Sequence, residues 1–341
     1  MTNGKRKARV AMIACGGTIS SINRSNSRTA TPTLSADELI DLVPQLSTVA
    51  DLDPFTYKAA PSPHLNFEDI YRLRDLCIAA VGAGAEGVVV TMGTDTLEEV
   101  AFGLDILWGV EQPLVVTGAM RNPMLPGPDG PANLFAAACV AGNRAFAGQG
   151  VLVVFNDEVH AAPYVQKLHT TSVGTFSSPS TGRVGTVSEG RSHLVFRRTS
   201  RYTLPIETLE ESPIPRVALL HMALGEDETA LEYIFKAGYA GLVIAGFGGG
   251  HVSRGIAEGR WLDNMADHIP VVLSSRTRAG WLLEGTYGGF AGSETDLLNR
   301  GLISAGELDP FKARILLTIC LAAGHDRRRI IEAFSLVGHR D

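Results

Sequence analysis

The chain has 341 residues, 45% of them hydrophobic and 19% charged, so it can bury a sizeable core and is long enough for two domains. Its 37 glycines fit a globular α/β protein with many tight turns. With a net charge of −6 nothing attracts phosphates over a broad surface, and nucleic acid is not an expected partner; the one basic cluster, Lys5-Arg6-Lys7-Ala8-Arg9, reads as a solvated end.

The first apolar run, Val10 to Ala14, passes directly into a Gly-Gly turn and is shorter than the roughly 7–15 residues of a secretory leader's apolar stretch, so it reads as the first strand. From Asn66 to Val81 a helical spacing places Ile70, Leu73, Cys77 and Ala80 on one face. Gly87–Thr91 is the next β-rich run, and Thr96-Leu97-Glu98-Glu99 behind it has capping-box spacing. Leu114–Thr117 and Val151–Phe155 follow as strands, with Pro131 suited to the first turn of a helix between them. This alternation is the pattern of a parallel sheet.

From about Gly182 to Thr203 the chain turns Gly-, Ser- and Arg-rich with short β-like pieces, and Pro205, Pro213 and Pro215 come after it. The expected division is an N-terminal α/β domain over 1–195, a linker over 196–213 and a smaller C-terminal α/β domain over 214–341. In the last of these, Arg216–His221, Gly241–Ala245 and Val271–Ser274 read as strands, and Glu228–Ala237 and Pro310–Ala322 as helices. No stretch approaches the ~18 apolar residues of a membrane span, so a cytoplasmic enzyme without a membrane partner is the expectation. Cys15, Cys77, Cys139 and Cys320 are scattered, against both a disulfide framework and a zinc site.

Chemistry concentrates where strands end, because open α/β sheets collect ligands outside the carboxyl ends of their strands. Cys15-Gly16-Gly17-Thr18-Ile19-Ser20 ends the first strand, and its threonine would project as a possible nucleophile if a base or cation eases deprotonation. Thr91-Met92-Gly93-Thr94-Asp95-Thr96 ends another, and there Asp95 could cap the following helix or hold a substrate ammonium. Lys167 follows Val154-Phe155-Asn156-Asp157-Glu158, and a lysine beside Thr94 and Asp95 could take a proton or polarise a water.

Competing motifs fail on context. Gly82-Ala83-Gly84-Ala85-Glu86-Gly87 has the letters of a dinucleotide fingerprint but follows a helix and precedes a strand, the reverse of what phosphate binding needs. Phosphate-loop, Gly-x-Ser-x-Gly and His-Glu-x-x-His patterns are absent, so no metal, flavin or nucleotide cofactor is expected. Gly246-Phe247-Gly248-Gly249-Gly250-His251 ends a strand and could serve a ligand, a neighbouring subunit or a bare turn.

Taken in order, Gly16-Gly17-Thr18-Ile19, Gly93-Thr94-Asp95-Thr96-Leu97-Glu98-Glu99, Gly118-Ala119-Met120-Arg121 and Asp129-Gly130-Pro131-Ala132-Asn133-Leu134 resemble the bacterial-type L-asparaginase/glutaminase family. Val151 to Phe176, Ser274-Ser275-Arg276 and Leu308-Asp309-Pro310-Phe311-Lys312-Ala313-Arg314 extend the likeness nearly end to end. The resemblance implies a doubly wound N-terminal domain, a smaller C-terminal α/β domain, and a homotetramer of two intimate dimers with sites between subunits. It implies Thr18 as the nucleophile that forms an acyl-enzyme, with Thr94, Asp95 and Lys167 as a second catalytic group. Ser62 would hold the substrate carboxylate beside Gly93, Asp95 its ammonium, and the Ala119 carbonyl its leaving amide.

Three departures fall on the parts that close over the substrate. The loop between Ile22 and Leu39 lacks the family's tyrosine, with Thr29 nearest in register and Thr31 and Thr33 close by. His251 replaces the partner subunit's asparagine, and Gly249 also stands where an asparagine is common. The partner's acidic residue aligns near Tyr287. Tyr287 or His251 is therefore expected to supply across the interface what the loop tyrosine would have given. The reaction expected is hydrolysis of L-asparagine to L-aspartate and ammonia, with L-glutamine, D-asparagine or another small amide as alternatives, and a non-catalytic small-molecule binder as the reading from another class.

Overall fold

The apolar runs become strands in the computed structural model, which describes residues 6–23, 29–204 and 213–338. The chain divides into two units, Met1–Thr203 and Leu204–Asp341; residues 205–212 of the stretch read as a linker lie outside the described residues.

The first unit runs β1 (Ala8–Gly16), β2 (Ser21–Ile22), β3 (Thr31–Pro32), α1 (Ala36–Asp41), α2 (Leu46–Val49), β4 (Ala50–Ala60), α3 (Phe67–Gly82), β5 (Gly87–Thr91) and α4 (Leu97–Leu107). It continues with β6 (Leu114–Thr117), α5 (Gly130–Ala141), β7 (Val151–Phe155), β8 (Glu158–Ala161), β9 (Gln166–Lys167), β10 (Phe176–Ser177), β11 (Gly185–Ser188) and β12 (Arg191–Leu194). The main sheet has the order β12-β11-β8-β7-β6-β5-β1-β4. Its β4-β1-β5-β6-β7 portion is parallel. The chain goes from β1 outward to β4 and returns to the other side of β1 with β5, so the winding reverses between β1 and β5 and opens a crevice at their carboxyl ends.

Burial follows from composition. Every residue of β5, Gly-Val-Val-Val-Thr, and of β7, Val-Leu-Val-Val-Phe, is buried, as strands covered by helices on both faces require. Each such valine contributes about 1.5–3 kcal/mol by leaving water. In α3 the expected stripe is present, with Ile70, Leu73 and Cys77 buried, and Asn66 closes a capping box with Asp69.

Two expectations change. The sheet is mixed: β8, β11 and β12 add antiparallel to its end, and the β-like pieces after Gly182 are the hairpin β11–β12. The reversal from β7 to β8 is made by Asn156 and Asp157 at φ 50 and 60, a left-handed pair that a two-residue hairpin needs and that these residue types tolerate. The capping box at Thr96 does not form. Thr96 sits at the N-cap of α4, but its hydroxyl donates to the Ser62 carbonyl at 3.0 Å, and α4 starts with no side-chain cap.

At the far end of α4 an ionic clasp closes the unit. Arg198 Nη1 reaches both oxygens of Asp105 at 3.0 and 2.9 Å, Asp105 Oδ1 also accepts from Val151 N at 2.8 Å, and Arg201 donates to the Trp108 carbonyl. Asp105 is 1% exposed, so this pair is buried and removing either member would cost about 3–5 kcal/mol.

The second unit contains β13 (Val217–His221), α6 (Thr229–Lys236), β14 (Gly241–Gly246), α7 (Arg254–Ala257), α8 (Trp261–His268), β15 (Val271–Ser275), α9 (Glu294–Asn299), β16 (Ile303–Ser304), α10 (Pro310–Ala322) and α11 (Arg327–Gly338). Its four strands pair in chain order, all parallel. Asp309 caps α10 by accepting from Phe311 N and Lys312 N. Among the described residues, no helix in either unit is long and apolar enough to cross a membrane.

Candidate active site

Two glycines bring the ends of β1 and β5 together. Gly16 and Gly17 have φ of 83 and 82, and a side-chain carbon on Gly17 would fall 2.1 Å from the Gly93 nitrogen, so the turns pass backbone against backbone. Thr18 and Thr94 are the next residues after those glycines and therefore leave adjacent turns. Thr18 opens a 3-10 turn, Thr18–Ser20, and is half-buried; Ser20 and Ser21 hydroxyls hold the Gly17 carbonyl at 3.0 and 2.8 Å.

Lys167 completes the second turn. Its Nζ donates to Thr94 Oγ1 at 2.9 Å and to Asp95 Oδ1 at 2.6 Å, while its backbone nitrogen donates to Glu98 Oε2 at 3.1 Å. Asp95 thus faces the lysine and does not cap α4. Because Lys167 donates to the Thr94 oxygen, the Thr94 hydroxyl keeps its own hydrogen to give to another acceptor. The short β9–β10 hairpin pairs Lys167 with Phe176, whose ring packs on Phe155 at 4.4 Å and ties the lysine to the end of β7.

Ser62 closes one flank. It begins the 3-10 turn Ser62–His64, is 2% exposed, and accepts from Asp95 N at 3.2 Å; a side-chain carbon on Gly93 would lie 2.8 Å from its Oγ. The Ala119 loop closes the other. A carbon on Gly118 would fall 2.3 Å from the Met92 carbonyl, and one on Gly130, at the start of α5, would touch Ile19 at 2.9 Å and Ala119 at 3.3 Å. Thr18, Ser62, Gly93, Thr94, Asp95 and Ala119 accordingly come from one set of abutting turns, and the Lys167 side chain reaches Thr94 and Asp95 from β9.

His251 and Tyr287 lie in the second unit and meet each other there. Gly248 and Gly250, at φ 45 and 116, fold the segment after β14 back on itself so that His251 bridges Phe247. The His251 ring stands edge-on to Tyr287 at 5.3 Å and to Phe290 at 5.6 Å. Beneath them is a residue that motif spacing did not reveal. Glu294, 0% exposed, takes His251 Nε2 at 2.9 Å, Thr286 N at 2.9 Å and the Tyr287 backbone nitrogen. Burial alone would raise its carboxyl, but hydrogen bonds from the Tyr287 backbone, its own backbone, His251 and Thr286 outweigh that and hold it below the usual range. Glu294 is thus a buried acid seven residues beyond Tyr287, bonded to its backbone nitrogen.

Comparisons with known proteins agree in both halves. The family model described as Asparaginase, N-terminal matches residues 9–200, and the Glutaminase/Asparaginase C-terminal domain matches residues 216–334. A Haemophilus influenzae protein described as a probable periplasmic L-asparaginase is 33% identical over 95% of this chain and 92% of its own. L-asparaginase 2 of Escherichia coli is 30% identical over 96% and 92%. The crystal structure of a probable cytoplasmic L-asparaginase from Campylobacter jejuni superposes with a TM-score of 0.86 at 31% identity, covering 96% of this chain and 99% of the other. These matches put the protein among the amidohydrolases. The chain belongs to the L-asparaginase/glutaminase family.

Proposed function

We propose that this chain hydrolyses the side-chain amide of L-asparagine, giving L-aspartate and ammonia through a threonine acyl-enzyme. The observation that carries the reading is Lys167 Nζ shared between Thr94 Oγ1 and Asp95 Oδ1, in turns that abut the one bearing Thr18. The Thr18 oxygen bonds to the amide carbon, the carbon–nitrogen bond breaks, and the nitrogen leaves as ammonia with the proton the hydroxyl gave up. Water then splits the ester, and a proton returns to Thr18. Thr94 and Lys167 relay that proton, Asp95 takes the substrate ammonium, and Ser62 with Gly93 the α-carboxylate.

The active assembly in this reading is a cytoplasmic homotetramer of two intimate dimers, in which His251 and Tyr287 of a second copy reach the substrate. The relatives named as L-asparaginases support the substrate; the His251–Tyr287–Glu294 cluster supports a role for that segment beyond a turn.

Ammonia release from L-asparagine, L-glutamine and D-asparagine tests the proposal. Turnover of L-asparagine is expected to fall on the order of 10⁴-fold or more in Thr18→Ala and roughly 10²–10⁴-fold in Thr94→Ala. A Thr18→Ala protein that keeps its rate would overturn the nucleophile, and silence of the parent protein on all three amides would overturn the substrate.

A further inference from the structure

We infer that Asp129 and Asn133 are positioning residues for the departing amide: together they aim the Ala119 carbonyl at the nitrogen that leaves as ammonia. The inference rests on the threonine amidohydrolase reading above and concerns residues that reading leaves unused.

Both stand at the start of α5, one helical turn apart. The Asp129 carboxylate accepts Met120 N at 3.1 and 3.0 Å through its two oxygens, and Arg121 N at 2.8 Å. It also accepts Asn133 Nδ2 at 3.0 Å. Asn133, 2% exposed, uses that same Nδ2 to donate to the Gly118 carbonyl at 3.1 Å, while its Oδ1 accepts Asn156 N at 3.0 Å. The residues immediately before and after Ala119 are therefore both tied to one carboxylate–amide pair, and Asn133 connects that pair to the β7–β8 turn.

Ala119 itself is buried, and its carbonyl receives no hydrogen bond from any described residue. A buried carbonyl lacking a donor is destabilising, and a ligand N–H would satisfy it. Asp129 offers no helix cap to explain its presence: α5 begins without a side-chain cap bond, and the carboxylate spends its acceptors on the Ala119 loop. Close packing fixes the height of the loop as well, since Gly118 lies against the Met92 carbonyl and Gly130 against Ile19, the neighbour of Thr18. The hydrogen bonds set the remaining freedom, the rotation of the peptide that carries the Ala119 oxygen.

An ester analogue separates positioning from general support. L-aspartic acid β-methyl ester presents the same carboxylate and ammonium to the site and the same carbon to Thr18, but its leaving oxygen carries no N–H for Ala119 to accept. Asp129→Ala and Asn133→Ala are each expected to lower kcat/KM for L-asparagine about 10–100-fold while changing the ester by less than about threefold. Asp129→Glu, which keeps a carboxylate, is expected to restore part of the amide rate. Equal losses on amide and ester would make the pair a structural support only, and unchanged rates on both would remove it from the site; either result overturns the inference. Thr18→Ala run beside them separates the two levels, because full activity in that variant on either substrate would bring down the threonine reading itself.

Discussion

The two units hold their candidate residues in different ways. In the first, position comes from backbone: Gly17 against Gly93 and Gly118 against Met92 leave no room for a side chain, and the candidate threonines follow directly on strand ends. In the second, position comes from side chains, with His251 and the Tyr287 backbone gathered around the buried Glu294. Backbone anchoring is local in sequence and tolerates no Cβ. Side-chain anchoring joins distant loops and depends on one ionised group staying paired.

The sharpest test of that contrast is functional. Tyr287→Phe removes a hydroxyl from a half-exposed ring whose edge-on packing with His251 a phenylalanine preserves, so the assembly should stay intact. Turnover is expected to drop roughly 10²-fold or more if the second cluster reaches the substrate. Steady-state kinetics with sedimentation of the same sample checks it, and a parental rate would confine the chemistry to the first unit.

A stability measurement probes the side-chain anchor next. Glu294→Ala leaves Thr286 N, Tyr287 N and His251 without their acceptor and is expected to destabilise the second unit by about 3–5 kcal/mol. Urea unfolding followed by a probe in that unit reads it. A loss under about 1 kcal/mol would mean water takes over the carboxylate's role, as at an ordinary surface pair.

The smallest expected effect concerns pH and the first unit. His160 is buried, and desolvation lowers its pKa despite the opposing pull of Glu158. The unfolded chain then binds a proton before the folded one does. Stability from this group is whole above the unfolded value near 6.5 and is lost as pH falls through it toward the folded value. His160→Asn should flatten the decline in unfolding free energy between pH 7 and pH 5, and identical slopes in parent and variant would show that other groups set it.

What could be read from the chain follows the same division. β1, β5, β6 and β7 were legible because buried parallel strands are short unbroken apolar runs, and the turns after β1 and β5 because glycine beside threonine is a local signal. β4 was not: its alternation of exposed and half-buried residues and its Pro54 mark an edge strand, which lacks an apolar run. The Asn156-Asp157 pair did carry a hairpin signal that would have predicted the antiparallel turn of the sheet. Thr96 misled because tertiary contact with Ser62 took the hydroxyl that a cap would have used. Glu294 stayed hidden since its partners, His251 43 residues before it and the Tyr287 backbone, lie in loops outside its helix, where no periodic pattern marks the contact.

The clasp at the end of α4 has a consequence for dividing the protein. Asp105 is neutralised by a guanidinium that arrives 93 residues later, after every strand of the first unit is complete. A fragment ending at Leu194 would contain the whole sheet and still strand a buried charge under it. An N-terminal fragment intended to fold alone must therefore extend at least through Arg198, so the boundary of the folding unit is set by its last ion pair and lies beyond its last strand.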